Sequence, residues 1–250
     1  MIFRQLFEPQ SCTYTYLVAS AEGRRAILID PVLETFQRDM DLLAALGLTL
    51  DATLETHVHA DHLTSALKLR SLTDCRILAP AGAGVGCADG EVAEGTPVTV
   101  GSVALSPLFT PGHTDHHLSY LLAGPGWDAV MTGDCLLIDG CGRTDFQGGD
   151  SAALFRSVRH TLFGLAPDTL VYPGHDYQGR RVSSIGQERD RNPRLNAQVD
   201  GAEFARIMDA LDLPYPRRMD LAVPANLACG QCPDDVPEGM EKLCEIDVQG

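Results

Sequence analysis

The sequence predicts a mixed α/β fold in which strands pack inside, helices lie outside and polar residues gather at strand ends. Three observations carry that prediction. Short β-like runs alternate with stretches of helical periodicity through the first third of the chain. The composition is that of a globular protein, with 250 residues, 44% of them hydrophobic and 21% charged. Histidine clusters where apolar strands end, seven of the eight histidines falling in three short segments.

Thr13–Val18 and Ala26–Ile29 are rich in β-branched, aromatic and aliphatic residues and read as strands. Phe36, Met40, Leu43 and Gly47 recur at helical spacing, which predicts a helix over 35–46 that ends at Gly47. Ala52–Glu55 reads as a strand running into a histidine-rich loop, Leu63–Leu72 as a helix and Arg76–Ala79 as a strand. Val98–Val100, Val103–Phe109, Leu118–Leu122 and Ala129–Thr132 read as strands separated by Gly and Pro turns. A polar, Gly-rich loop is expected over 139–149. Ser151–Phe163 carries Leu154, Phe155, Val158 and Leu162 on one helical face, and Thr169–Tyr172 is a strand ending in Pro-Gly-His. Beyond Asn192 one helix is expected at Gly201–Leu211, followed by irregular chain.

The formal net charge is −15, a surface that repels polyphosphate, so neither nucleic acid nor an anionic membrane is an expected partner. The longest apolar run, Leu42–Leu48, is far shorter than the roughly 20 residues a spanning helix needs. Ala19-Ser20-Ala21 mimics a signal cleavage site, but Gln5, Glu8, Pro9, Gln10 and Ser11 interrupt the apolar stretch before it. A cytoplasmic location is therefore expected, with the eight cysteines as reduced thiols.

The histidine segments are His57-Val58-His59-Ala60-Asp61-His62, Pro111-Gly112-His113-Thr114-Asp115-His116-His117 and Pro173-Gly174-His175-Asp176; a further strand ends in Gly133-Asp134. Imidazole and carboxylate are the ligands of Zn, Fe and Mn sites, so the clustering points to a metal centre. Alternate residues of an extended segment face the same side, so His57 and His59 can share one pocket. The eighth histidine, His160, falls on a helix and reads as a surface residue.

HxHxDH followed by GH, GD and a final GH resembles the metallo-β-lactamase superfamily, which implies an αββα sandwich with the metal site at one edge between two sheets. Within it, Gly140–Gln147, Asp30-Pro31-Val32, Asn192-Pro193-Arg194-Leu195 and Val223-Pro224-Ala225-Asn226 resemble the persulfide dioxygenase family. The likeness spans about Phe3 to Gly230, which implies one domain over 1–230 and a short acidic C-terminal tail over 231–250. It implies a single Fe(II) held by His57, His113 and Asp134, with His59, Asp61, His62 and His175 around it, orienting ligands and relaying protons. The implied reaction converts glutathione persulfide, O2 and water to sulfite and glutathione. Arg143, Tyr177 and Arg194 are the implied substrate contacts, and a homodimer belongs to the same expectation.

The same histidines suit a dinuclear site, so a glyoxalase II-like thioester hydrolase is the alternative. Two departures stand out. The usual GHT-x-Gly-Cys run is here Asp115-His116-His117, and Cys135 follows Asp134, where burial would make it inert. Cys229, Cys232 and Cys244 lie at or beyond the end of the resemblance, and the CxxC pair alone is a weak metal or redox signal.

Overall fold

The computed structural model describes residues 1–245; the last five residues of the expected tail lie outside them. The chain divides into two compact units. The first comprises residues 1–92, 99–103 and the C-terminal segment from 214; the second comprises 93–98 and 104–213.

The first unit carries a six-stranded sheet ordered β1 (Ile2–Glu8), β2 (Thr13–Ala19), β3 (Arg25–Ile29), β4 (Thr49–Leu54), β5 (Arg76–Pro80) and β6 (Gly90–Val92). β1 to β3 are antiparallel neighbours, whereas β3 to β6 run parallel. Parallel neighbours need crossovers, supplied here by α1 (Phe36–Leu46) and α2 (Ala66–Thr73). β2 is buried along its whole length and reads as a continuous apolar and hydroxyl run rather than an alternating one. Leu17, Ala26, Leu28, Leu43, Leu50 and Leu69 form a core between this sheet and its helices.

The second sheet has the order β12 (Ser183–Ser184), β11 (Leu170–Pro173), β10 (Trp127–Gly133), β9 (Leu118–Gly124), β8 (Val103–Phe109) and β7 (Val98–Val100). α3 (Ser151–Arg156) starts where the Asp150 side chain accepts from the Ala153 amide, and it continues as a π-helical turn over Ser157–Leu162. α4 (Ile185–Arg191) and α5 (Gly201–Asp209) complete the second unit, whose core centres on Val130, Leu154, Val158, Val171 and Phe204.

The expectation of irregular chain after residue 211 is wrong. α6 (Met219–Leu227) and α7 (Glu241–Glu245) form there. α6 lacks amphipathic periodicity and contains Pro224, yet Leu221, Ala222 and Ala225 are fully buried against Leu33 and Leu63. Tertiary burial outweighs the proline. Half-buried Val236, Met240 and Leu243 of the tail pack on the same cluster.

The all-reduced reading of the cysteines is also corrected. Cys87 is bonded to Cys229 and Cys232 to Cys244, so the CxxC cysteines each take a different partner. Among the described residues, Cys12, Cys75, Cys135 and Cys141 form no disulfide.

Asp39 is a buried charge in α1, and burial pushes its carboxyl up to about 6 against the lowering effect of Arg38. A carboxyl raised from 3.8 stabilises the fold below its unfolded pKa and loses that stability as pH rises through about 6. Asp39→Asn should therefore raise thermal stability at pH 8 by up to about 3 kcal/mol, with the gain vanishing near pH 4. Melting curves across that range check it; a gain independent of pH contradicts it.

Candidate metal centre

In the first unit the parallel ends of β3 and β4 bring Asp30 beside the Glu55–His62 segment, and the Asp30 amide donates to Leu54 O at 2.9 Å. Asp30 has a left-handed backbone (φ 51°), a conformation Asp tolerates. Its carboxylate accepts from the Thr56 amide at 2.7 Å and from the Thr56 hydroxyl at 2.9 Å. Having given its only proton to Asp30, Thr56 Oγ1 must accept from His57 Nδ1, 2.9 Å away. The lone pair of the His57 imidazole is thereby assigned to Nε2, the form a metal ligand needs.

His59 Nε2 lies 3.1 Å from Asp30 and 3.3 Å from Glu55. Burial pulls the His59 pKa down, but the two carboxylates outweigh it and hold the imidazole well above its ordinary value. Burial pushes Glu55 up, against its hydrogen bond to His59. His62 Nδ1 sits 3.1 Å from Asp61 and 3.3 Å from Thr13 Oγ1. His59 Nδ1 and His62 Nε2 are buried without a hydrogen bond. This loop is fastened from far along the chain. Asn226 on α6 donates to His59 O and His62 O, both at 2.8 Å, and accepts from the Thr64 amide at 2.9 Å.

In the second unit His113 Nδ1 lies 2.8 Å from Arg143 O. A carbonyl only accepts, so Nδ1 carries the proton and Nε2 the lone pair. His113 Nε2 is 3.6 Å from Asp134 Oδ2, and His175 Nε2 is 3.5 Å from Asp134 Oδ1. Both are long for hydrogen bonds, and Asp134 Oδ1 is buried with none. Two imidazoles around an under-satisfied carboxylate suit a divalent cation. A Cβ on Gly174 would stand 2.7 Å from Asp134 Oδ1, so only glycine allows this approach. His117 is fully buried; its Nε2 accepts from the Asp134 amide at 3.2 Å, and its Nδ1 lies 3.0 Å from Thr110 Oγ1. In place of the usual cysteine, it positions Asp134. Cys135 is buried and its thiol is pushed up by that burial, which makes it inert.

The three expected substrate contacts differ in placement. Arg143 makes a two-bond fork to Asp145 at 2.6 and 2.7 Å and lies 4.6 Å over the Phe146 ring. Arg194 donates to Cys141 O at 3.1 Å and braces that loop. Tyr177 is 73% exposed and stacks on His175, with ring centres 6.1 Å apart.

Three residues with positioning roles carried no assignment in the sequence: Asp30, Thr56 and Asn226. Asp30 and Asn226 stood in the segments that carried the family likeness, which was the available signal. Thr56 was visible only as a neighbour of a ligand, whereas His117 stood out in the sequence as the replacement of the usual thiol near the site, without a stated contact to Asp134.

The sequence pattern of the Metallo-beta-lactamase superfamily matches residues 13–175. The chain is 46% identical over 231 residues to "Persulfide dioxygenase ETHE1, mitochondrial" of Bos taurus, covering 92% of this chain and 89% of the relative. The protein of the same name from Homo sapiens gives the same identity and coverage. The crystal structure of ETHE1 from Myxococcus xanthus superposes with a TM-score of 0.88 at 50% identity, covering 92% of this chain and all of that one. A metallo-beta-lactamase from Staphylococcus aureus, 22% identical, has the same fold with a TM-score of 0.82. No helix among the described residues is long and apolar enough to cross a membrane. The α/β fold is that of the metallo-β-lactamases, its histidines and aspartates form a metal-binding set, and the chain belongs to the persulfide dioxygenase family, whose co-substrates are a sulfur compound and O2.

Proposed function

We propose that the protein holds one Fe(II) per chain through His57, His113 and Asp134 and oxidises glutathione persulfide. The observation that carries this is the matched state of the ligands. Thr56 and the Arg143 carbonyl each fix the Nδ1 proton of one histidine and so offer its Nε2, while Asp134 Oδ1 lacks a hydrogen bond. Two neutral imidazoles and one carboxylate are the donor set of the non-haem Fe(II) oxygenases. When bound, the iron supplies the redox chemistry between dioxygen and the terminal sulfur.

The protein's own residues hold the ligands in register and handle protons. Glutathione persulfide, O2 and water give glutathione, sulfite and two protons. Asp30 and Glu55, bridged by His59, and His62 with Asp61, are the groups placed to accept them, and His175 orients Asp134. Tyr177, Arg143 and Arg194 contact the substrate, with a glutathione carboxylate displacing Asp145 from the Arg143 fork. Arg143→Ala should then raise KM for glutathione persulfide about ten- to a hundredfold while iron remains, because His113 uses the backbone carbonyl. Asp145→Asn should lower KM several-fold by removing the competitor. Unchanged KM in both variants contradicts the glutathione clamp.

The buried, unpartnered His59 Nδ1 and His62 Nε2 favour a second reading, a dinuclear glyoxalase II-like thioester hydrolase. Oxygen uptake with glutathione persulfide, set beside thioester hydrolysis on the same preparation, separates the two. Coenzyme A persulfide and inorganic persulfide complete the comparison of substrates.

Residues 1–230 form the catalytic domain in this reading, and 231–250 an appendage. Truncation after Gly230 should keep iron and activity but lower the melting temperature, because Val236, Met240 and Leu243 cover a buried cluster. Loss of iron on truncation contradicts that division. The homodimer is tested by light scattering. The cytoplasmic location is tested by cell fractionation.

A further inference from the structure

Glu188 is a fully buried carboxylate on α4, and no step of the chemistry described above uses it. Such a group is costly to bury unless its oxygens accept hydrogen bonds. Three donors meet it here. Oε2 accepts from the Asp139 amide and from Asn192 Nδ2, both at 2.9 Å, and Oε1 accepts from the Ser183 hydroxyl.

A carboxylate only accepts, so Asn192 must turn its Nδ2 toward it. The rest of the Asn192 amide is then fixed as well. Nδ2 also donates to Gly140 O at 3.1 Å, and Oδ1 accepts from the Arg194 and Leu195 amides at 3.0 and 3.1 Å. The Arg194 guanidinium donates to Cys141 O at 3.1 Å. Asp139, Gly140 and Cys141 are thereby tied to one buried acid: the first directly, the second through Asn192 and the third through Arg194.

The next two residues reach the metal centre. A Cβ on Gly142 would stand 2.5 Å from Asp134 O and 2.8 Å from His113 Nδ1, so the backbone there runs directly against both proposed ligands. The Gly142 amide donates to Asp134 O at 2.8 Å, and Arg143 O accepts the His113 Nδ1 proton at 2.8 Å. The guanidinium expected to meet the substrate belongs to that same Arg143.

We propose that Glu188 is a positioning residue for metal and substrate together. It fixes the segment from Asp139 to Arg143, and with it both the carbonyl that orients His113 and the side chain offered to the persulfide. The proposal rests on the assignment of His113 and Asp134 as metal ligands.

Titration of the apoprotein with Fe(II), joined to KM for glutathione persulfide, tests it. Glu188→Met keeps an unbranched buried side chain but leaves the Asp139 amide and one Asn192 N–H without an acceptor. It should lower Fe(II) affinity about 10- to 100-fold and raise KM roughly three- to tenfold. Glu188→Gln should restore both to within about twofold, because its oxygen accepts from Asp139 and Asn192 while its NH2 donates to Ser183 Oγ. Leu43→Val, in the separate core of the first unit, controls for a general loss of stability and should leave both values unchanged. Asn192→Ala breaks the same chain one step later and decides by the same two readings if Glu188→Met does not fold. Affinity and KM close to wild type in Glu188→Met, or equal losses in Leu43→Val, overturn the proposal. A wild type that prefers zinc refutes the iron reading instead, and the same comparison made with zinc affinities then decides the role of Glu188.

Discussion

Asp134→Ala is expected to reduce bound iron from about one per chain to near zero and to abolish persulfide-dependent oxygen uptake. The variant should fold as well as the wild-type apoprotein or better, because it removes a buried carboxylate oxygen that lacks a hydrogen bond. Circular dichroism and metal analysis on the same sample separate loss of metal from loss of fold. His117→Ala should be milder, lowering metal affinity about 10- to 100-fold, because that ring supports the site through the Asp134 amide and an edge contact with His113 without being a ligand in this reading. Equal losses in the two variants would mean that His117 does more than position Asp134. Retention of full iron by Asp134→Ala would remove it from the ligand set.

Cys87→Ser should be the most destabilising change outside the metal ligands. The Cys87–Cys229 bond spans 142 residues, for which the chain-entropy relation gives about 5 kcal/mol, or roughly 10–20 °C in melting temperature for a chain of this size. Cys232–Cys244 spans only 12 residues, for which the same relation gives about 3 kcal/mol. The first bond also lies next to the loop clamp. Cys229 O accepts from the Leu67 amide, and Asn226, three residues earlier, holds the histidine loop. Reduction of the wild type breaks both bonds and should therefore lower its melting temperature below that of Cys87→Ser, and lower its iron affinity as well. A variant that melts within 2 °C of the wild type, by the ~3 °C per kcal/mol scale, contradicts this stapling role.

The fold was legible where a single period dominates. α1, with Phe36, Met40 and Leu43 on one face, and β8, with its alternating burial, follow local patterns that need no knowledge of the rest of the chain. β1, β6, β12 and α6 were not legible. β1 pairs with the adjacent β2 but shows no clean alternation of burial, β6 and β12 are only three and two residues long, and α6, which carries an interior proline, is held by Leu33 and Leu63 from far along the chain. The metal centre was legible because its donors sit in short motifs at strand ends. What the sequence concealed is how those donors are held. The Thr56–Asp30 link, the His117 contact to the Asp134 amide and the Asn226 clamp join residues whose chemistry is unremarkable until the sheets bring them together. Arg143 teaches the converse. Its position in a diagnostic loop was plain, but its pairing with Asp145 two residues away was not.

Metal analysis of protein purified without added metal, joined to oxygen uptake with glutathione persulfide on the same sample, tests the central claim most directly. About one iron per chain and uptake proportional to that iron are expected. Two zinc ions per chain, with thioester hydrolysis and no oxygen uptake, would contradict it.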